Sequence, residues 1–299
     1  MQKLILKLLL CMVIIYGFAT YLNTYFLKFD EYYSFYSQKF NDIEKQPLKT
    51  NLIVGSSHGC FGINPKNFDS KSFNFCFTGS NPTYYLNLLK LGILNPSKID
   101  TLFYQVDWFM FDKKWMWREV HHDGESIQNK YLIKSLFCSQ IHHSELIQNS
   151  LFNFTNPSQN LKKQHSPDQF FNGYFKGFVQ YNIPGNKEWE HRTKTQFNDT
   201  QISNFKIFIQ QLKDCKITII LLSTPEFNMN HNIDKQKGLQ IIQNVANSFK
   251  IPFINIHQSK EFQYPINYFH DWGHLNLLGA NKFSSEMKHY LFNQRTKKI

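Results

Sequence analysis

Five short apolar runs, separated by stretches of helical length, constrain this chain more than any other feature. They are Asn51-Leu-Ile-Val54, Phe73-Asn-Phe-Cys-Phe77, Thr101-Leu-Phe-Tyr-Gln-Val106, Ile217-Thr-Ile-Ile-Leu-Leu222 and Pro252-Phe-Ile-Asn-Ile256. Runs this short, apolar on both faces, read as fully buried strands. Between them, apolar residues recur at helical spacing. They predict helices over Thr83–Leu94 (Tyr84, Leu88, Leu91), Phe205–Lys213 and Gln236–Phe249, with a closing helix over Leu277–Phe292. Strands alternating with helices imply a parallel sheet covered on both faces, a three-layer α/β/α sandwich.

The chain has 299 residues, of which 42% are hydrophobic and 18% charged, so it can bury a core. Thirty phenylalanines predict aromatic-rich packing. The formal net charge of +11 would suit an anionic partner, but the lysines are scattered and no zinc-finger, RNA-binding or helix-turn-helix signature accompanies them. Nucleic acid is therefore set aside. The cysteines (11, 60, 76, 138 and 215) show no C-x-x-C and no metal-ligand spacing. A single disulfide is allowed, with no pairing specified.

Lys3 and Lys7 precede an uncharged run that carries on to Leu22. Counted from Leu4 the stretch approaches the ~20 residues a membrane-spanning helix needs. Residues 1–24 are thus expected to form a signal anchor with a cytoplasmic N-terminus and the main domain outside the cytoplasm. A cleaved signal peptide and a buried soluble helix are the competing readings. Residues 25–48, with Tyr32, Tyr33, Phe35 and Tyr36, read as a stalk or first helix ended by Pro47. The domain proper is expected over 49–299. Its pattern breaks over about 112–200, an insertion expected to lie over the sheet edge.

The candidate chemistry sits at two ends of the domain. After the first strand the chain reads Gly55-Ser56-Ser57-His58-Gly59. Ligands bind at the C-terminal edge of open parallel sheets, so a hydroxyl there is well placed, although Gly and Ser also make ordinary turns. Near the C-terminus stands His270-Asp271-Trp272-Gly273-His274-Leu275-Asn276. An Asp three residues before a His can hold one ring nitrogen and leave the other to take a proton from a hydroxyl. The alternative is that Asp271 caps the closing helix.

Together these blocks resemble the SGNH (GDSL-like) hydrolase superfamily. Ser57 matches that family's nucleophile, with Ser56 in place of the usual aspartate, and Asp271-Trp-Gly-His274 matches its late Asp-x-x-His. The serine-for-aspartate form, the apolar N-terminus and the Gly79-Ser-Asn-Pro82 block are most similar to the membrane-anchored branch. That branch includes accessory proteins of alginate O-acetylation and wall D-alanyl transfer. The resemblance implies a flavodoxin-like SGNH fold, with Ser57, Asp271 and His274 as catalytic triad. It also implies an oxyanion hole from the N–H groups of Ser57 and Gly79. The family's third block, Gly-x-Asn-Asp, is missing where this chain has Gln105-Val106-Asp107-Trp108. Asn81 or Gln105 would then have to act as the further donor, or two donors suffice.

The implied function is a serine esterase or O-acyltransferase on acyl esters of a cell-surface or exported polysaccharide, needing no cofactor. The alternative is a non-catalytic accessory protein that binds glycan or a membrane acyltransferase. Trp108, Trp115 and Trp117, near Arg118 and Glu119, form a candidate sugar-stacking platform, or else anchor the insertion. His58 could donate to an oxyanion or simply pack. The pairs His121-His122 and His142-His143 lack a metal-binding motif, and no metal is expected.

Overall fold

The computed structural model describes residues 2–27, 31–112, 171–175, 178–181, 195–227 and 233–296. The chain divides into two compact units, Met1–Ser37 with His121–Asp168, and Gln38–Val120 with Gln169–Ile299. In the first, α1 is one helix over Gln2–Leu27. Its described apolar side chains are exposed, Leu4, Ile5, Leu6, Leu8, Leu9 and Leu10 among them. The expected transmembrane span over 1–24 finds no support here. Among the described residues no helix is long and apolar enough to cross a membrane. Lys3 and Lys7 fall within the stretch, and the side chains of Met12, Tyr16, Ala19 and Thr20 lie outside the described residues.

The second unit holds a five-stranded parallel sheet made of β1 (Thr50–Val54), β2 (Ser72–Asn74), β3 (Ile99–Gln105), β6 (Thr218–Leu222) and β7 (Phe253–Ile254). Their order is β2-β1-β3-β6-β7 and every pairing is parallel. This is the doubly wound order in which the chain reverses direction between β1 and β3, and ligands bind in the crevice at that switch point. A two-stranded antiparallel hairpin, β4 (Phe171–Phe175) and β5 (Phe178–Tyr181), lies within the expected insertion. Most of the remaining insertion lies outside the described residues.

Neighbouring side chains on β3 show that both faces are covered, because successive residues of a strand point to opposite sides. The Phe103 ring meets Phe68 of α4 (Pro65–Phe68) at 4.9 Å. Tyr104 meets Tyr85 of α5 (Pro82–Lys90) at 5.7 Å, and Phe205 and Phe208 of α6 (Asp199–Asp214) at 5.4 and 5.7 Å. The three-layer sandwich expected from the sequence is thus present. Burying each such phenylalanine is worth about 1.5–3 kcal/mol. The α6 helix reaches further back than its apolar spacing suggested, because Asn198 accepts the Thr200 N–H and starts it earlier. Helix α7 (Ile233–Phe249) precedes β7, and α8 (Leu277–Thr296) closes the chain.

Helix α2 covers Glu31–Glu44, and the division between the units falls within it, after Ser37. The expected aromatic face of Tyr32, Tyr33, Phe35 and Tyr36 falls on side chains outside the description. Further along, Phe40 is fully buried between Phe75 and Phe77, with ring centroids at 5.6 and 5.2 Å. Lys39 is buried beside it, donating to the Cys76 carbonyl and the Cys60 sulfur. The end of this segment therefore belongs to the domain core. Among the described residues Cys11, Cys60, Cys76 and Cys215 form no disulfide, and Cys138 lies outside the described residues.

Candidate active site

The nucleophile turn follows β1 at the switch point. Gly55 has φ +153°, and a Cβ there would lie 2.6 Å from the Gln105 Cβ and 2.7 Å from its carbonyl oxygen, so no side chain fits. Ser56 then caps the six-residue helix α3 (Ser57–Gly62), its hydroxyl accepting the His58 N–H. Ser57 opens that helix.

The other half of the site is the loop before α8. His270 N–H donates to the His274 carbonyl, and Phe269 bridges to Leu275, which folds the intervening residues into a tight loop. Asn276, not Asp271, caps α8, accepting the Gly279 N–H at 3.0 Å. That leaves Asp271 for the histidine. Its Oδ1 accepts the backbone N–H groups of Gly273 and His274 at 2.9 and 2.8 Å, and its Oδ2 lies 2.7 Å from His274 Nδ1. His274 Nε2 in turn lies 2.8 Å from Ser57 Oγ. The three residues named from the sequence meet as a chain of two hydrogen bonds across 217 residues of sequence.

Burial raises the Asp271 pKa, but the hydrogen bond and charge of His274, with the two backbone donors, outweigh it and hold the carboxyl far below its usual range. For His274, burial pushes the pKa down, and Asp271 only partly restores it against the charges of His58 and His270. The ring is therefore neutral at pH 7. With Asp271 at Nδ1, the free lone pair is on Nε2, facing the hydroxyl it would deprotonate.

The turn that carries Gly79, one of the expected oxyanion donors, is tied to the nucleophile turn. The Ser80 hydroxyl donates to the Gly55 carbonyl at 2.7 Å and the Phe77 N–H reaches the same oxygen at 3.0 Å. These bonds stitch the Gly79 turn to the nucleophile turn. The backbone N–H groups of Ser57 and Gly79 make no hydrogen bond among the described residues. Asn81 caps α5 by accepting the Tyr84 N–H at 3.0 Å, while its NH₂ group is likewise unpartnered there.

Gln105 does not serve as an oxyanion donor. Its Oε1 accepts from Ser56 N, Ser56 Oγ and Gly59 N at 3.0, 3.2 and 3.2 Å, and its Nε2 donates to Asp107 Oδ1 at 2.7 Å. Both ends of the amide are committed to holding the turn. Trp108 is no stacking platform either. It is fully buried, with Nε1 donating to Glu226 at 3.1 Å, because the chain turns inward after β3. Trp115 and Trp117 lie outside the described residues, as do His121, His122, His142 and His143.

Sequence reasoning missed a second polar cluster behind the triad. His58 Nδ1 lies 2.8 Å from Asp107 Oδ1, and Ser56 Oγ donates to Asp107 Oδ2. Glu226, after β6, accepts from Trp108 and from Lys235 at 2.9 Å. His58, Asp107 and Glu226 place one ligand-type atom each within 4.8 Å of one another, a spacing a metal ion could use. Lys235 already stands on Glu226, and Ser56 and Gln105 on Asp107, so the group is closed by protein donors. The available signal was Asp107 itself, a carboxylate two residues beyond a buried strand.

No protein-family model and no curated protein matches the chain. Among solved structures it is similar to one from Streptococcus pneumonia described as a proposed platelet activating factor. That likeness has a TM-score of 0.46 and 13% identity, and covers 90% of this chain and 96% of the other. At that score it lends no weight to fold or chemistry, which rest on the geometry above.

Proposed function

We propose that this chain is a serine esterase or O-acyltransferase of the SGNH type, acting on acyl esters of a cell-surface or exported polysaccharide. The observation that carries it is the Ser57–His274–Asp271 chain, with spacings of 2.8 and 2.7 Å and unpartnered N–H groups on Ser57 and Gly79. Ser57 Oγ attacks the ester carbonyl as His274 takes its proton, and Asp271 stabilises the imidazolium so formed. The Ser57 and Gly79 N–H groups receive the oxyanion. The intermediate collapses as His274 returns the proton to the departing alcohol. Water or a sugar hydroxyl then takes the acyl group by the same steps in reverse.

We place the domain at a membrane through α1. A helix that exposes Leu4 through Leu10 on every side is either buried by a partner or taken up by lipid. Sodium carbonate extraction tests this. Release of the full chain into the supernatant rules lipid insertion out. The catalytic reading is tested with a fluorophosphonate probe, which reacts only with an activated serine. Wild type is expected to label and Ser57→Ala not to. Equal labelling of the two, or labelling of neither, would leave the second reading: an accessory protein that binds glycan or a membrane acyltransferase without turnover. The commitment of Gln105 to structure is the observation in its favour, since losing one oxyanion donor costs about 10²–10³ in rate.

A further inference from the structure

We propose that His58 is a buried imidazolium, a positioning residue that stands behind Ser57 and His274 and sets the charge of the site without touching substrate. Only the catalytic consequence rests on the esterase reading; the charge state of His58 does not.

The geometry supplies the argument. His58 is 2% exposed, with Nδ1 2.8 Å from an oxygen of Asp107. Asp107 is 4% exposed and receives further donors from Ser56 on one oxygen and Gln105 on the other. A carboxylate met by two hydrogen-bond donors, with an imidazole nitrogen at ion-pair distance, is ionised. Glu226 lies within 4.8 Å of the same atoms and carries its own ion pair with Lys235. Among these groups stand two carboxylates and one ammonium. His257, from the turn after β7, adds no cation because burial above all holds its pKa at about 4. A neutral His58 would leave one uncompensated negative charge in the interior, and a proton on His58 removes it. Although burial alone would raise it, the Asp107 pKa is lowered, by the charge and hydrogen bond of His58 and the bonds from Ser56 and Gln105.

The packing shows what such a charge would act on. The His58 ring meets His274 edge-on with centroids 4.8 Å apart, and Trp272 and Phe109 at 5.6 and 5.2 Å. A Cβ on Gly273 would come within 2.5 Å of His58 Nε2, so the Asp271–His274 loop closes directly over this ring. His58 therefore joins three elements: the nucleophile turn, the end of β3 and the loop that carries the base. Its charge opposes a second proton on His274 and keeps that ring a free base in mildly acidic solution. One residue from the Ser57 N–H, it also adds positive potential where the oxyanion develops. The titratable and charged groups facing it are Asp107 at the end of β3, Glu226 after β6, Lys235 on α7 and His257 after β7. His274 faces it from the loop before α8, with Asp271 on the far side of the His274 ring. On α2, Lys39 engages Cys60 and Cys76 instead.

Nitrogen-15 NMR of the histidine rings, on the full chain in detergent, tests the proposal without needing a substrate. At pH 7.5 both His58 nitrogens are expected to carry protons while His274 carries one. In His58→Gln the pKa of His274 should rise by about one unit, and the acid limb of fluorophosphonate labelling should move up with it. In Asp107→Asn, a second route should the first variant fold poorly, His58 should lose its extra proton at pH 7.5. A singly protonated His58 in wild type overturns the proposal, as does an unmoved His274 pKa in folded His58→Gln. If the spectra are as expected but no serine labels, the esterase reading fails and the charge assignment stands.

Discussion

Gln105→Leu separates a structural amide from a catalytic one. The substitution keeps the approximate shape of a side chain that is 1% exposed. It removes the acceptor of three donors and one donor to Asp107. The Ser56 hydroxyl keeps Asp107 and the Gly59 N–H keeps the Ser56 carbonyl, so their losses are partial. The Ser56 N–H has no other partner among the described residues, and a buried orphaned donor costs about 1–3 kcal/mol. Removing a hydrogen bond to the ionised Asp107 costs about a further 1.5–3 kcal/mol. The expected destabilisation is therefore roughly 3–5 kcal/mol, a large share of the ~5–15 kcal/mol a domain has in total. For a domain of this size that lowers Tm by about 10 °C. Urea unfolding followed by tryptophan fluorescence, with labelling measured at a temperature where both proteins are folded, gives the two readouts together. A variant as stable as wild type that labels 10²-fold more slowly would refute the reasoning and restore Gln105 as an oxyanion donor.

Asp271→Asn should fold normally yet label about 10⁴-fold more slowly, because the amide permits the wrong His274 tautomer; a loss below tenfold in a stopped-flow labelling assay would remove Asp271 from the triad. Labelling of wild type should rise with pH through a midpoint below the ordinary histidine value of 6.5, since burial holds His274 below that value; a midpoint above 6.5 contradicts the assigned environment. His257 gives a stability effect of known sign. Its folded pKa of about 4 lies below its unfolded 6.5, so the unfolded chain binds the proton first as pH falls between those values. Stability should drop across that window by about 3 kcal/mol, and His257→Gln should flatten the curve of Tm against pH. Gly55→Ala places a Cβ 2.6 Å from Gln105 at φ +153°, and should cost several kcal/mol by chemical denaturation; a change under ~1 kcal/mol would mean the turn can shift freely.

How much of this was legible in advance depends on how far apart in the chain the deciding atoms lie. The strands over Thr50–Val54, Ile99–Gln105 and Thr218–Leu222 stand where their apolar runs predicted, since a strand covered on both faces is apolar over most of its length. Strand β2 is shorter than its phenylalanines suggested, because its ladder with β1 covers Ser72 to Asn74 alone. Ser57, Asp271 and His274 could be named because two local patterns, a glycine-ended strand and a three-residue Asp-to-His spacing, were read together, each alone also fitting an ordinary turn or a helix cap. The carboxylate–histidine pair lies within three residues, so its spacing allows it, and it forms because Asn276 rather than Asp271 caps α8.

What the tertiary structure decided was the direction of the side chains around β3. Gln105, Asp107 and Trp108 lie within four residues of sequence, which left Gln105 open as an oxyanion donor and Trp108 as a stacking platform. The register that pairs Val54 with Tyr104, and Gln105 with Leu222, turns Gln105 onto the nucleophile turn. The turn beyond β3 sends Asp107 to His58 and Trp108 to Glu226. A strand displaced by one residue would reverse every one of these assignments, because its side chains alternate between faces. The residues of the candidate site, Ser57, Asp271 and His274, were thus nameable from sequence. The charged cluster behind them exists only once β1, β3, β6 and the Asp271–His274 loop meet at one edge of the sheet.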